Sequence, residues 1–224
     1  MESYPTEISY SDNNVSLILR SLIEEDAEKI HVAVLNSLDI LLPFMPWSHH
    51  SLTLENQIKR IKESQNNSTE WELSVLDKPT GEFLMSACLR KASIISENLY
   101  EIGYWVAKKH GNKGLATLVT KILSVVAFEF LGCDCLQVGC NKSNQISQKV
   151  MNKCGFKLEG EIRNYFSIPT QKMVENGYTA ERTCLRYSLI QEDLLHLKWY
   201  QEIKHAIKIK KNCTQRSIRQ GIPS

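Results

Sequence analysis

The sequence lacks the features that define several protein classes. No uninterrupted apolar run reaches the roughly 18 residues that a membrane-spanning helix needs, so no such helix is expected. Residues 1–14 are polar and contain no apolar stretch of the kind found in secretion signals, which favours a cytoplasmic protein. Repeats are absent, and a hydrophobic content of 42% with 23% charged residues excludes a disordered chain. The 224 residues are enough for one domain with its own core.

The cysteines do not have the spacing of a metal site or of a disulfide framework. The chain has seven cysteines, an odd number, and no Cys-x-x-Cys pair. Structural zinc sites and disulfide-rich domains both depend on regular cysteine spacing. His49, His50 and His110 have no partners at ligand spacing either. We therefore expect reduced cysteines that mostly fill core positions, and no bound metal.

Positive charge is concentrated at the C-terminal end. The whole chain carries 27 Lys and Arg against 25 Asp and Glu, a net charge of +2. Residues 198–224 contain seven Lys or Arg and one acid, Glu202, which gives +6 and leaves −4 for the rest. Such a segment is either a solvated helix face with a loose end or a surface that weakly attracts an anionic partner, such as a nucleic acid or a membrane.

Hydrophobic periodicity predicts a mixed α/β (α+β) fold. Helices are expected at residues 24–38, 52–65, 115–131, 143–155 and 192–211. Strands are expected at residues 15–22, 71–77, 83–92, 99–107, 135–140, 156–168 and 181–190. A turn near Asn176 and Gly177 is expected to separate the last two strands. This order implies a mostly antiparallel sheet with one parallel crossover through the central helix.

A basic loop, residues 108–114, joins a predicted strand to the most strongly periodic helix. Gly111 and Gly114 let its backbone approach a ligand closely, and its three lysines add positive charge. The first turn of a helix presents unpaired N–H groups and a positive dipole end, which suit a phosphate group. The P-loop pattern GxxxxGK[ST] and the dinucleotide pattern GxGxxG are both absent. Alone, the loop fits a phosphate-binding segment or an ordinary connection.

The loop resembles the acetyl-CoA-binding motif of the GNAT superfamily of N-acetyltransferases, (Arg/Gln)-x-x-Gly-x-(Gly/Ala). The corresponding residues are Gly111, Asn112, Lys113, Gly114, Leu115 and Ala116, followed by Thr117. Gly114, Ala116, the preceding Gly-Tyr-Trp strand and the following helix match the family. Gly111 departs from it, because it stands where the family has Arg or Gln. Backbone amides hold most of the pyrophosphate in the family, so we expect binding to persist with weaker affinity.

Later segments strengthen the resemblance. Asn144, Ser147 and the Lys-Cys-Gly-Phe run at 153–156 are similar to the family's N-x-x-S…K-x-G-F block, whose helix lies beside the pantetheine arm. Further similarity to the ribosomal-protein (Rim-type) branch lies at residues 45–47, 158–160, 163–165 and 185–189. The resemblance covers about residues 15–190. It departs from the branch at residues 169–174, whose extra length borders the acceptor cleft in the family.

The resemblance implies a GNAT-like domain at residues 15–190, with a central, mostly antiparallel mixed sheet and helices on both faces. Residues 1–14 are then a flexible leader, and residues 191–224 form a C-terminal helix and basic tail. The implied activity is acetyl transfer from acetyl-CoA to a protein N-terminal α-amine, by direct attack in a ternary complex. The alternatives are a small-molecule amine as acceptor, and a non-catalytic acetyl-CoA-binding module with a partner-binding tail, which the Gly111 departure motivates.

The resemblance also implies a set of site residues. Those expected to contact acetyl-CoA are Trp105, Val106, Gly111, Asn112, Lys113, Gly114, Leu115, Ala116, Thr117, Asn144 and Ser147. Glu101 stands where family members often carry a glutamate base, and it is otherwise a solvated strand residue. Ser147 would contact the cofactor sulfur or donate a proton to the thiolate, with Tyr165 as a rival acid. A base is needed because free α-amines titrate at about pH 8 and must lose a proton.

Overall fold

The computed structural model describes residues 4–92 and 98–211. The strands of these residues are β1 (Glu7–Ser11), β2 (Ser16–Ser21), β3 (Glu70–Asp77), β4 (Phe83–Lys91), β5 (Leu99–Val106), β6 (Cys135–Asn141), β7 (Lys157–Ile162), β8 (Cys184–Ile190) and β9 (Ile207–Lys210). The α-helices are α1 (Ala27–Leu35), α2 (Leu38–Leu41), α3 (Leu54–Gln65), α4 (Leu115–Phe130), α5 (Gln145–Cys154), α6 (Gln171–Glu175), α7 (Gln191–Leu195) and α8 (Trp199–Ala206).

All of these strands form one sheet in the order β7-β8-β6-β5-β4-β3-β2-β1-β9. Among the described strands, β5 and β6 are the one parallel pair, and the other neighbours are antiparallel. A parallel pair needs a long crossover connection, which α4 supplies. The mixed, mostly antiparallel sheet predicted from the sequence is confirmed.

Helices cover both faces of this sheet, as predicted. One hydrophobic core joins α4, α5 and α8 to alternate residues of the central strands, including Leu89 and Ile102. A second core joins α1, α2 and α3 to Phe83, and Trp105 packs against it. Successive side chains of a strand point to opposite faces, so β5 sends Ile102 to the first core and Trp105 to the second.

The N-terminal segment differs from the flexible leader expected for residues 1–14. β1 lies within it and pairs with both β2 and β9. Ile8 and Tyr10 are buried in the first core. Burial of these apolar side chains stabilises the strand, although five residues in a polar segment are too short a pattern to predict it. Residues 1–3 lie outside the described residues.

The helix predicted over residues 192–211 is also wrong in part, because α7, α8 and β9 occupy that segment. Ile207 pairs with Tyr10, and Ile209 pairs with Ile8. These pairings join residues about two hundred positions apart, and such tertiary contacts override local helix propensity. Residues 212–224, the end of the predicted basic tail, lie outside the described residues.

The connection from β7 to β8 contains the predicted turn at Asn176 and Gly177, but it is longer than a hairpin turn. β7 ends at Ile162, and the chain reaches β8 through the short helix α6. Thr170 caps α6 by accepting a hydrogen bond from the Met173 N–H at 3.2 Å. The two strands remain antiparallel neighbours, so the error concerned the connection between them and not their pairing.

Candidate active site

β5 and β6 separate soon after they meet. Their paired positions are Leu99 with Cys135, Tyr100 with Leu136, and Glu101 with Gln137. Beyond these, β5 continues to pair with β4, and β6 continues to pair with β8. A gap therefore opens in the middle of the sheet, and it begins just after Glu101.

A cavity of about 880 Å³ occupies this gap. From the α4–α5 side it is lined by Ile102, Tyr104, Val138, Cys140, Asn144 and Ser147. From the opposite face it is lined by residues including Trp47, Arg60, Glu72, Arg90, Glu101 and Trp105. The cavity thus passes through the sheet, so that two molecules entering from opposite faces would meet beside β5.

Ser147 stands at the start of α5 and faces β5 across the gap. Asn144 caps this helix by accepting a hydrogen bond from the Ser147 N–H at 3.1 Å. The Ser147 hydroxyl lies 3.0 Å from the Tyr104 hydroxyl, so the two side chains bridge the gap. Burial raises the pKa of the Tyr104 phenol, which keeps the phenol protonated and able to donate. The structure therefore brings the predicted residues Asn144 and Ser147 to one wall of the cavity.

Glu101 lies at the base of the gap, and both of its carboxylate oxygens are engaged. Arg90 donates to Oε1 at 2.9 Å, and Arg186 donates to Oε2 at 3.0 Å. The side chains of Glu101 and Arg186 are each 15% exposed. Glu101 is therefore not the solvated strand residue that the sequence allowed, but a fixed carboxylate on the cavity wall.

The loop before α4 forms an uncapped helix start. Gly114 is the N-cap and has a φ of 78°, a left-handed conformation that favours glycine. No side chain caps α4 within the part of the chain that the structure describes. The first N–H groups of a helix have no intrahelical partner, so here they are available to solvent or to a ligand. Lys113 is exposed beside them.

This loop lies apart from the large cavity, since none of residues 111–117 lines it. Lys113, Gly114 and Leu115 instead border a separate cavity of about 450 Å³. The Thr117 carbonyl instead accepts from the thiol of Cys154, the last residue of α5, at 3.5 Å. The residues predicted to bind the cofactor thus form two groups, one at the start of α4 and one at the gap.

Trp105 and Val106, also predicted to contact the cofactor, lie at the end of β5 and point to opposite faces. The Trp105 ring lies 6.0 Å from the Trp47 ring and 5.6 Å from the Phe83 ring. Val106 packs against the first core instead. The Trp105 ring is therefore on the face opposite Ser147, although the Trp105 backbone borders the gap.

Sequence reasoning missed the charged residues around Glu101. Arg90 is opposite Glu101 in the β4–β5 register, so its position could have been inferred from strand alternation. Arg186 reaches Glu101 from two strands away, and no sequence signal indicates that contact. Glu72 was also missed. Burial raises the pKa of its carboxyl, although the charge of Arg60, which donates to it at 2.6 Å, opposes this.

In residues 4–92 and 98–211, no group of three or more His, Cys, Asp or Glu side chains could hold a metal ion. In the same ranges, no helix combines the length and the apolar character needed to cross a bilayer. His110 instead lies 3.3 Å from the Glu82 carboxylate.

A family model, that of the acetyltransferase (GNAT) domain, matches residues 16–157. This segment contains the β5–β6 gap, the loop before α4 and the whole of α5. YdaF of Bacillus subtilis (strain 168), whose name assigns it provisionally to the ribosomal N-acetyltransferases, is 36% identical over 102 residues. That match spans 46% of this chain and 48% of YdaF, about half the length of the curated relative.

Solved structures share the fold. Mycobacterium smegmatis RimJ, solved in complex with CoA-disulfide, aligns with a TM-score of 0.77 and 17% identity, over 92% of this chain and 97% of RimJ. RimL, a ribosomal L7/L12 α-N-protein acetyltransferase solved with coenzyme A, aligns with a TM-score of 0.67 and 17% identity, over 81% and 97%. At 17% identity, these similarities establish that the chain shares the fold of the two structures.

Proposed function

The chain belongs to the acetyltransferase (GNAT) family, and from this premise we propose that it transfers the acetyl group of acetyl-CoA to a protein N-terminal α-amine. The amine nitrogen attacks the thioester carbonyl directly, while both substrates are bound. A C–N bond forms, the C–S bond breaks, and CoA leaves as a thiolate that takes up a proton. No covalent acyl-enzyme is formed.

The observation that carries this proposal is the cavity that passes through the sheet. Direct transfer requires both substrates to be held at the same time, with their reacting atoms in contact. The side lined by Asn144 and Ser147 suits acetyl-CoA, and the side lined by Trp47 and Glu101 suits the acceptor. The thioester and the amine would then meet at the opening between β5 and β6.

On the cofactor side, residues 111–117 hold the pyrophosphate through the free N–H groups at the start of α4. Asn144, Ser147 and the backbone of Trp105 and Val106 border the pantetheine arm. The Ser147 hydroxyl would contact the sulfur and donate a hydrogen bond to the departing thiolate, which takes up its proton from solvent. Tyr104, 3.0 Å away, hydrogen-bonds to that hydroxyl and orients it. Tyr165, the rival acid, bonds to Arg186 instead.

On the acceptor side, Glu101 accepts the proton that the attacking amine must lose. A carboxylate suits this role for an α-amine, because the pKa of such an amine is only about 8, against about 10.4 for a lysine side chain. The partial match to a relative named for ribosomal N-acetylation supports a protein acceptor. Acetyl-CoA is the acetyl donor whether the acceptor is a protein N-terminus or a small amine.

Glu101→Gln tests this assignment in the full chain. We expect kcat on peptides with a free N-terminus to fall about 100-fold, as removal of a general base typically does. The dissociation constant of acetyl-CoA should stay within about twofold, because Glu101 acts on the amine. Acetyl transfer to peptides and to small amines, measured beside calorimetric binding of acetyl-CoA, gives both quantities.

Glu70→Gln is the matched control. Glu70 also lines the cavity and lies 4.0 Å from Arg90, so this variant removes the same charge near the same guanidinium. It should keep most of the activity. Full activity of Glu101→Gln would remove Glu101 from the mechanism, and tight acetyl-CoA binding without transfer to any amine would favour a non-catalytic module.

A further inference from the structure

We propose that Arg186 is a positioning residue, which fixes the Glu101 carboxylate at the edge of the gap and which reaches it across β6 because residue 139 is glycine. This inference rests on the proposed role of Glu101 as the base. It adds a residue on β8 and a backbone requirement on β6 to the residues that the proposed function uses.

The two guanidinium groups that hold Glu101 differ in their surroundings. The Arg90 side chain is 45% exposed, and it also lies 4.0 Å from Glu70. The Arg186 side chain is 15% exposed, and it donates to Oε2 of Glu101 at 3.0 Å. Ion pairs that water screens are weak, whereas partly buried pairs are screened much less. The contact with Arg186 therefore contributes more to fixing the carboxylate than the contact with Arg90.

Gly139 leaves room for this contact. β6 lies between β5 and β8, and Arg186 is directly opposite Gly139 in the β6–β8 register. The Arg186 side chain must therefore cross β6, a span of two strand spacings or about 10 Å. A Cβ on residue 139 would lie 3.2 Å from the Cys184 sulfur and 3.3 Å from both Cζ and Nη1 of Arg186, and Nη1 is the atom that donates to Glu101.

Arg186 also connects the base to a segment on the acceptor side. Its Nη2 donates to the Tyr165 hydroxyl at 3.0 Å, and its guanidinium lies 5.4 Å from the centre of the Tyr165 ring. The next residue, Phe166, lines the large cavity. The guanidinium is thus held on one side by Tyr165 and on the other by Glu101, which fixes its plane.

A double-mutant cycle separates positioning from direct substrate contact. Arg186→Met should lower kcat about 10- to 100-fold, because misplacing a reacting group by about 1 Å can cost 10²-fold. The KM for acetyl-CoA should change less than about twofold. In the Glu101→Gln background, Arg186→Met should lower the residual kcat by less than about twofold, because a residue that acts only through Glu101 has nothing left to position. Equal losses in both backgrounds would overturn the proposal.

Gly139→Ala tests the same contact without changing any charge. The added methyl group presses on Nη1 of Arg186 and on the Cys184 sulfur. A loss of kcat that passes through Arg186 should appear in the wild-type background and not in the Glu101→Gln background. The matched control is Gly160→Ala, since Gly160 faces Arg186 from β7 on the other side and has no atom within 4 Å of an added Cβ. Equal activity of the two alanine variants would contradict the proposed crossing.

Arg186→Lys completes the set, because it keeps the charge but cannot contact Glu101 and Tyr165 with a planar fork. We expect it to restore part of the kcat lost in Arg186→Met. Failure of the proposed role of Glu101 can be distinguished from failure of the role of Arg186, because Glu101→Gln would then be as active as wild type. A fully active Glu101→Gln refutes the base assignment, whereas an impaired Glu101→Gln with additive Arg186 effects refutes only the positioning role.

Discussion

The two helices that we propose to hold acetyl-CoA begin in different ways. α5 begins after Asn144, whose side chain accepts from the Ser147 N–H at 3.1 Å. α4 begins after Gly114, and no side chain among the described residues caps it. A side-chain cap typically adds about 1 kcal/mol of stability, which α4 forgoes. The start of α5 is thus completed by the protein itself, whereas the N–H groups of α4 remain open.

The uncapped start of α4 points to a ligand only when it is considered together with the family to which the chain belongs. An uncapped helix start is common and by itself identifies no ligand. The GNAT domain match covers both starts, and the exposed Lys113 beside Gly114 adds the charge that a pyrophosphate requires. We therefore expect substitutions at α4 to affect cofactor binding, and substitutions at α5 to affect mainly folding stability and the geometry of Ser147.

Gly114→Glu is the substitution with the largest expected effect. A ligand present at 100 times its dissociation constant raises the free energy of unfolding by about 2.7 kcal/mol. This gain should vanish in the variant, because a negatively charged side chain would occupy the position that the phosphates approach. Thermal unfolding of the full chain with and without acetyl-CoA measures the gain.

The control for this variant lies just beyond the other end of the same helix. Gly132 has a φ of 65°, and neither it nor Gly114 has an atom within 4 Å of an added Cβ. Gly132→Glu therefore introduces similar backbone strain and the same charge, but it should leave the acetyl-CoA shift intact. A normal shift in Gly114→Glu would show that the phosphates bind elsewhere.

Asn144→Ala should have the opposite profile. Loss of the cap should lower the free energy of unfolding by about 1 kcal/mol. For a chain of this length, that is a decrease of about 2–4 °C in Tm. The stabilisation by acetyl-CoA should largely persist. Thr170→Ala removes a similar cap from α6, so it should cost a similar amount of stability without any effect on the cofactor. If Asn144→Ala abolished the acetyl-CoA shift, the contrast between the helices would fail.

The candidate residues at the starts of α4 and α5 could be predicted from the sequence, because the motifs that indicate them span only a few neighbouring residues. Gly111, Gly114, Asn144 and Ser147 each lie within a short motif next to a strongly periodic helix. Such motifs report on the few residues around them, which is also the range of a helix cap or a phosphate loop. The sequence could not show that these residues lie in two separate places. Asn144 and Ser147 line the large cavity, whereas the loop before α4 does not.

Contacts between distant strands were beyond the reach of the same reasoning. Arg186 and Glu101 are 85 positions apart, and β9 pairs with β1 near the other end of the chain. The alternating Ile and Lys residues of β9 have the two-residue period of a strand, but four residues that directly follow a helical pattern are too short to establish one. Its strand conformation follows from the free edge of β1, which is known only once the sheet is assembled.

Removal of residues 212–224 is the change with the smallest expected effect. The chain that precedes them contacts α4 near its C-terminal end, where Lys204 pairs with Glu129, far from the start of that helix. Lys210 pairs with Glu7, so part of the basic segment is already neutralised within the fold. The deleted residues carry two positive charges, Arg216 and Arg219, and no acid. We expect the free energy of unfolding to change by less than about 0.5 kcal/mol, as for surface substitutions, and the acetyl-CoA shift to be unchanged.

If these charges attract an anionic partner, association should slow at low salt and the difference should shrink as salt rises, because the Debye length is about 8 Å at physiological ionic strength. A truncation after Ala206 would also remove β9 and Ile207, so its lower Tm would verify that the assay detects loss of an edge strand. A loss of acetyl-CoA binding in the shorter deletion would instead place part of the cofactor site in residues 212–224.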